Sequence, residues 1–150
     1  MTKLKKGDKA PTFKGKDQDG NMISLEDFRG NKLVLYFYPK DSTPGCTSQA
    51  CNLRDNYELL LEKGYKVVGV SADSEKSHKK FIEKNNLPFP LIADTEKEIL
   101  QAFDVWGLKK FMGREYMGIN RTTFVINEEG VIEEVIEKVN TKDHTAQIVG

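Results

Sequence analysis

Leu33-Val34-Leu35-Tyr36-Phe37-Tyr38-Pro39-Lys40-Asp41-Ser42-Thr43-Pro44-Gly45-Cys46-Thr47-Ser48-Gln49-Ala50-Cys51 is the stretch on which the fold turns. Its first six residues are apolar or aromatic without a polar alternation. A strand buried on both faces reads that way, which predicts the centre of a sheet with helices on both sides. Pro39 stops the strand, because proline cannot donate to a ladder. Residues 40–45 are loop formers. A helical pattern follows, with Ala50, Leu53, Tyr57, Leu60 and Leu61 recurring three and four apart, and Gly64 closing a single helix. Cys46 therefore lies just past the C-terminal end of a central strand, at the start of a helix.

Upstream, residues 12–16 and 21–24 form a hairpin about Asp19-Gly20, and Ser24-Leu25-Glu26-Asp27 caps a short helical turn. Downstream, residues 66–70 read as a second buried strand. Asp73 or Ser74 caps a helix running to about Asn86, with Phe81 and Ile82 as its inner face. Residues 88–93 make a short strand. Thr95-Glu96-Lys97-Glu98 is a capping-box pattern opening a helix that carries Ile99, Leu100 and Phe103. Residues 122–126 and 131–139 form a hairpin about Asn127-Glu128-Glu129-Gly130, and residues 143–149 a last helix. Alternating strands and helices with an antiparallel end predict an α/β, thioredoxin-like sandwich with a central mixed sheet and an N-terminal hairpin extension.

The 150 residues give room for one domain, 1–150, and 38% hydrophobic residues suffice for its core. Lys and Arg number 23, as do Asp and Glu, which argues against a basic nucleic-acid binder and against an acidic disordered tail. No apolar run approaches the ~20 residues of a membrane span. Met1-Thr2-Lys3-Leu4-Lys5-Lys6 is followed by no apolar stretch, so no secretory signal is expected. The expectation is a cytoplasmic protein with reduced thiols and no membrane partner. Two cysteines exclude a disulfide scaffold. A structural zinc site needs four ligands, and His78 and His144 are far apart. Both histidines are read as surface residues that the chemistry does not need.

A helix start offers Cys46 free N–H groups and the positive end of the dipole, and both favour thiolate over thiol. Pro44 presets the turn, and Gly45 lets the backbone approach a ligand. Thr43 brings a hydroxyl near the sulfur. Cys51 follows five positions on, which places the two Cα atoms roughly 8–9 Å apart on a helix. A disulfide needs them within about 7 Å. If these thiols react, the first turns must unwind. Arg121, at the start of a strand, supplies a fixed cation for a thiolate and an oxygen leaving group. From the residues alone the alternatives stay open: a plain turn with a buried apolar thiol, a half-buried helix cysteine, and a surface ion pair for the arginine.

The runs Tyr36-Phe37-Tyr38-Pro39-Lys40-Asp41, Thr43-Pro44-Gly45-Cys46-Thr47 and Ala50-Cys51-Asn52 closely resemble the peroxiredoxin family, in its bacterioferritin comigratory protein or peroxiredoxin Q branch. Residues 103–107 and 116–124 are similar to that branch too. Ser42 departs from it, standing where a second Asp is frequent. The resemblance implies a peroxidase in which Cys46 is peroxidatic and Cys51 resolving. It implies that Thr43 and Arg121 hold the peroxide oxygens with help from the backbone near Gly45, and that Pro39 shields the sulfenic acid. It also implies a hydroperoxide substrate, a thioredoxin-type protein reductant, no cofactor, and a monomer in preference to a homodimer. Trp106 and Phe111 are read as core or pocket-rim aromatics. Two other readings compete: a thioredoxin-like thiol-disulfide oxidoreductase, disfavoured by four residues between the cysteines, and a non-catalytic α/β binding module.

Overall fold

Along β3 (Lys32–Phe37) the side chains of Leu33, Leu35 and Phe37 enter one buried cluster, and those of Val34 and Tyr36, followed by Tyr38, enter another. That two-sided burial is why the run carries no polar alternation. The computed structural model describes residues 2–150. β3 is the middle strand of a five-stranded mixed sheet with the order β5-β4-β3-β8-β9. It runs parallel to β4 (Tyr65–Ser71), which is parallel to β5 (Leu91–Ala93), and antiparallel to β8 (Thr122–Ile126), which pairs antiparallel with β9 (Ile132–Ile136).

One face is covered by α1 (Pro44–Asp55), α2 (Tyr57–Glu62), α3 (Glu75–Asn85) and α5 (His144–Val149), through Ala50, Leu53, Leu60, Phe81 and Ile148. The other face is covered by α4 (Glu98–Ala102), the N-terminal hairpin of β1 (Lys14–Lys16) and β2 (Met22–Ser24), and a 3-10 turn over Leu25–Phe28. Asp27 accepts from the Ser24 N–H at 2.9 Å to cap that turn. The α/β sandwich with its mixed sheet and N-terminal hairpin is thus the one the sequence predicts.

Tyr36 pairs with Gly69 across β3 and β4. A Cβ at Gly69 would lie 2.6 Å from Leu91 Cδ2 and 2.8 Å from Tyr36 Cζ, and both of those side chains are buried. Gly69→Ala is therefore expected to destabilise the protein by about 1–3 kcal/mol through overpacking. Thermal unfolding measures this, and an unchanged Tm would show that the ring has room to move.

The structure differs from the sequence reading at four places. The helix expected to run unbroken to Gly64 is interrupted at Asn56, whose side-chain amide donates to the Asn52 carbonyl at 2.8 Å and competes with the helix ladder. The 95–98 capping box does not form. Lys97 sits at the N-cap in the left-handed region (φ 62), and Asp94 accepts the Leu100 N–H at 2.8 Å instead. A hairpin arm, β6 (Trp106–Phe111) and β7 (Arg114–Ile119), was not foreseen. Its turn has Met112 at φ 50 and Gly113 at φ 80, the two positive values a type I′ turn demands. Of the core and rim alternatives for the two aromatics, Phe111, at the end of β6, is 66% exposed and lines an open cleft with Arg114, Glu115 and Tyr116, whereas Trp106 packs half-buried against the core. Finally, His78 and His144 are fully buried and hydrogen-bonded, not surface residues.

Candidate active site

The loop leaving β3 ends at Thr43, the N-cap of α1, with Pro44 as the first helical residue. Proline suits that position because its missing N–H has no partner there in any helix. The first intrahelical bond joins Thr47 N–H to the Thr43 carbonyl at 2.9 Å. The Gly45 and Cys46 N–H groups precede it and point out of the ladder, towards the positive end of the helix. Cys46 is buried, 1% exposed, and is a free thiol.

Arg121 lies in the turn between β7 and β8, 75 residues along the chain from Cys46. Its Nη2 donates to Cys46 Sγ at 3.2 Å and its Nη1 to Gln49 Oε1 at 2.6 Å. Gln49 is buried one helical turn beyond Cys46, so a single side chain aims the guanidinium at the sulfur. A Cβ on Gly45 would sit 3.3 Å from Arg121 Nη2, so glycine leaves the space in which that cation lies against the helix start.

Thr43 Oγ1 donates to the Lys40 carbonyl at 2.8 Å, not to the sulfur. Its lone pairs remain free to accept a proton from a ligand. Pro39 is half-buried at the head of the same loop. Lys109, on the arm, donates to the Ile119 carbonyl at 2.9 Å. With Asn120, Arg121, Thr122 and Glu137 it lines an open cleft of about 300 Å³. Burial, then the Arg121 charge, holds the Lys109 ammonium below the ordinary lysine value, and Cys46 opposes this.

Cys51 is also a free thiol on α1, half-buried, with its Sγ 3.7 Å from Asn85 Oδ1 on α3. Five residues along an α-helix place it about 140° around the axis from Cys46. The two sulfurs thus face different neighbours, as the sequence spacing predicts. Asn52, the next residue, holds the start of α5: its Oδ1 accepts the Thr145 N–H at 2.8 Å and its Nδ2 donates to the Lys142 carbonyl at 3.2 Å. Unwinding that reaches residue 52 would loosen the last helix.

The structure therefore brings Cys46, Arg121, Gly45 and Thr43 together at one helix start, with Cys51 on the same helix. Gln49 and Lys109 were not singled out by sequence reasoning, Asp41 entered it only within the run that carries the resemblance, and His78 was read as a surface residue. Gln49 had a usable signal, a polar residue at i+3 from the cysteine on a helix face otherwise made of Ala50 and Leu53. His144 Nδ1 and Nε2 meet Gln147 Oε1 and Thr123 Oγ1, each at 2.8 Å. Burial lowers its pKa, Gln147 opposes that, and Arg121 adds a smaller lowering.

The model of the AhpC/TSA family matches residues 6–135. The chain belongs to that family. It is 50% identical to peroxiredoxin Bcp of Bacillus subtilis over 141 residues, covering 94% of this chain and 90% of that one. It is 46% identical to peroxiredoxin Bcp of Escherichia coli K12 over 144 residues, covering 96% and 92%. Among solved structures it is similar to that of the Xanthomonas campestris bacterioferritin comigratory protein, described for its alkyl peroxide reduction activity. That match has 35% identity, a TM-score of 0.85, and coverage of 91% of this chain and 87% of that one. The peroxiredoxin resemblance and the thioredoxin-like fold both stand, and the chain is a peroxiredoxin of the Bcp type, a thiol peroxidase. Among the described residues no helix is long and apolar enough to cross a membrane.

Proposed function

We propose that Cys46 is the peroxidatic and Cys51 the resolving thiol of a peroxidase acting on hydrogen peroxide and organic hydroperoxides. The carrying observation is the 3.2 Å contact of Arg121 Nη2 with Cys46 Sγ at a helix N-terminus. A thiolate there is stabilised by a guanidinium and by free N–H groups at once. The alkyl peroxide activity described for the Xanthomonas protein supports including organic hydroperoxides.

The Cys46 thiolate attacks the near oxygen of the peroxide, an S–O bond forms and the O–O bond breaks. The departing oxygen leaves as water or an alcohol once it takes up a proton. Arg121 and the N–H groups of Gly45 and Cys46 face the charge that moves onto it. Thr43 Oγ1, its own proton engaged with Lys40, accepts from the peroxide O–H and orients it. The Pro39 ring shields the resulting sulfenic acid. After the first turns of α1 unwind, the Cys51 thiolate attacks the Cys46 sulfur, an S–S bond forms and water leaves. Two thiols and one hydroperoxide thus become a disulfide, an alcohol or water, and one further water. A thioredoxin-type dithiol is the reductant that restores both thiols by exchange.

Intact mass after one equivalent of peroxide tests this cycle. The wild-type chain is expected to lose the mass of two hydrogens. Cys51→Ser is expected to gain that of one oxygen and to stop after a single turnover. A wild-type product carrying an oxygen and both cysteines unlinked would remove Cys51 from the resolving role.

A further inference from the structure

We infer that Asp41 and His78 form a buried, proton-sharing pair that positions the loop presenting Thr43 and Cys46 to the peroxide, an inference that rests on the peroxidase reading above. Their side chains are 3% and 0% exposed. His78 Nε2 lies 2.9 Å from the Ile92 carbonyl oxygen. A carbonyl only accepts, so Nε2 carries a hydrogen. His78 Nδ1 lies 2.7 Å from Asp41 Oδ2. Two bare lone pairs do not face each other at that distance, so a second proton sits between the ring and the carboxylate.

Asp41 is also surrounded by donors. Tyr38 Oη donates to its Oδ1 at 2.6 Å and Ser77 Oγ to its Oδ2 at 2.8 Å. Burial, with the charges of Tyr36 and Asp41 nearby, holds the Tyr38 phenol well above its ordinary value, so it remains a donor. Asp41 is gripped by its backbone as well. Its N–H donates to Asp73 Oδ2 at 2.8 Å, and that oxygen also accepts from Ser71 Oγ at 2.7 Å. Asp41, Asp73 and His78 lie close enough to suggest a cation. Asp41 Oδ2, Asp73 Oδ2 and both ring nitrogens already hold partners, which makes the cluster a clamp.

What the clamp holds is the approach to Cys46. Lys40 and Ser42 are exposed, and Ser42 is in the left-handed region at φ 64. The Thr43 side chain bonds only to Lys40, within the loop itself. Among the described residues, Asp41 is the only one of residues 39–43 whose side chain is hydrogen-bonded to the rest of the protein. It ties the loop to Tyr38 after β3 and to α3, while its backbone ties it to the end of β4. Peroxide attack needs Thr43 Oγ1, the helix N–H groups, Cys46 and Arg121 in register. Alkylation of Cys46 by iodoacetamide needs only an accessible thiolate. The two reactions therefore separate loop position from thiol chemistry.

In Asp41→Ala, the second-order rate of sulfenic acid formation with hydrogen peroxide is expected to fall about ten- to a hundredfold. Alkylation of Cys46 in the same variant is expected to stay unchanged or become faster. Asp41→Asn is expected to recover much of the peroxide rate, because its Oδ1 accepts from Tyr38 and its amide donates to a neutral His78 ring. A peroxide rate unchanged in Asp41→Ala, or one that falls in parallel with alkylation, overturns the proposal. If Asp41→Ala does not fold, Ser77→Ala removes one donor from Oδ2 and is expected to show the same split, smaller. Should the wild-type protein itself form no sulfenic acid at Cys46, the peroxidase reading fails and not this clamp.

Discussion

Serine in place of Cys46 is expected to bring peroxide consumption down to the uncatalysed level, a loss on the order of 10⁴-fold or more, as for removal of other enzymatic nucleophiles. Exchange of one chalcogen atom for another leaves the site almost isosteric. The side chain is buried between α1 and β3, and the new hydroxyl still accepts from Arg121 Nη2, which now stands 3.2 Å from the sulfur. Folding stability should therefore change by no more than about 1 kcal/mol. What disappears is the thiolate. A serine hydroxyl at a helix start beside one arginine is not ionised at neutral pH, and among the described residues no base is hydrogen-bonded to the side chain at position 46. Arg121 is its hydrogen-bonding partner, and a guanidinium takes no proton there. Peroxide consumption followed with excess dithiothreitol measures the loss, with thermal unfolding as control. Consumption near the wild-type rate would place the chemistry on another atom.

The fold was legible because its central segments are extreme. Residues 33–38 are apolar or aromatic throughout, as a strand buried on both faces requires, and residues 122–126 were bounded correctly because Phe124, Val125 and Ile126 run straight into the turn residues Asn127 to Gly130. Where burial is one-sided or absent, the pattern loses its authority. The β6–β7 arm exposes Leu108, Phe111, Met112, Tyr116 and Met117. Its strands therefore carry neither alternation nor a continuous apolar run, and its one signal was Met112-Gly113, an unusual pair for a type I′ turn. Asn56 interrupts a helix whose apolar spacing continues without a break, because the interruption comes from a side-chain hydrogen bond and not from periodicity.

The catalytic constellation was legible in part. Cys46, Thr43 and Gly45 lie in one short run, so local turn chemistry and helix direction suffice to assemble them. Arg121 is distant in sequence, and its approach follows from β3 pairing antiparallel with β8, which brings Phe37 opposite Thr122. The residues that hold these groups were not legible. His78 looks like a polar residue on an otherwise charged helix, and only the sheet shows that its ring enters a pocket closed by Tyr38, Asp41 and the Ile92 carbonyl. Buried polar residues are identified by their partners, and partners come from tertiary contact. That is also why both histidines were misread as surface residues.

Arg121→Lys is expected to keep the positive charge and still slow peroxide reduction by about 10²–10³-fold, the range for removal of one preorganised donor to a developing oxyanion. The planar guanidinium holds Gln49 Oε1 with Nη1 at 2.6 Å and Cys46 Sγ with Nη2 at 3.2 Å. An ammonium on a flexible stem does not reproduce two donors in a fixed fork. Whichever partner the lysine takes, the other is left unpaired. Bonded to Gln49, it leaves the sulfur and the departing oxygen without their donor. Bonded to the sulfur, it leaves Oε1 of a fully buried amide unsatisfied, and the Nε2 of that amide already lacks a protein partner. The cost of such a group, about 1–3 kcal/mol, would appear as lost stability. Arg121→Lys should therefore lose peroxide rate, measured by stopped flow, far more than it loses Cys46 alkylation rate, because charge alone still favours the thiolate. Equal losses in both reactions would mean that Arg121 acts only by its charge, and the fork geometry would then have no part in cleaving the O–O bond.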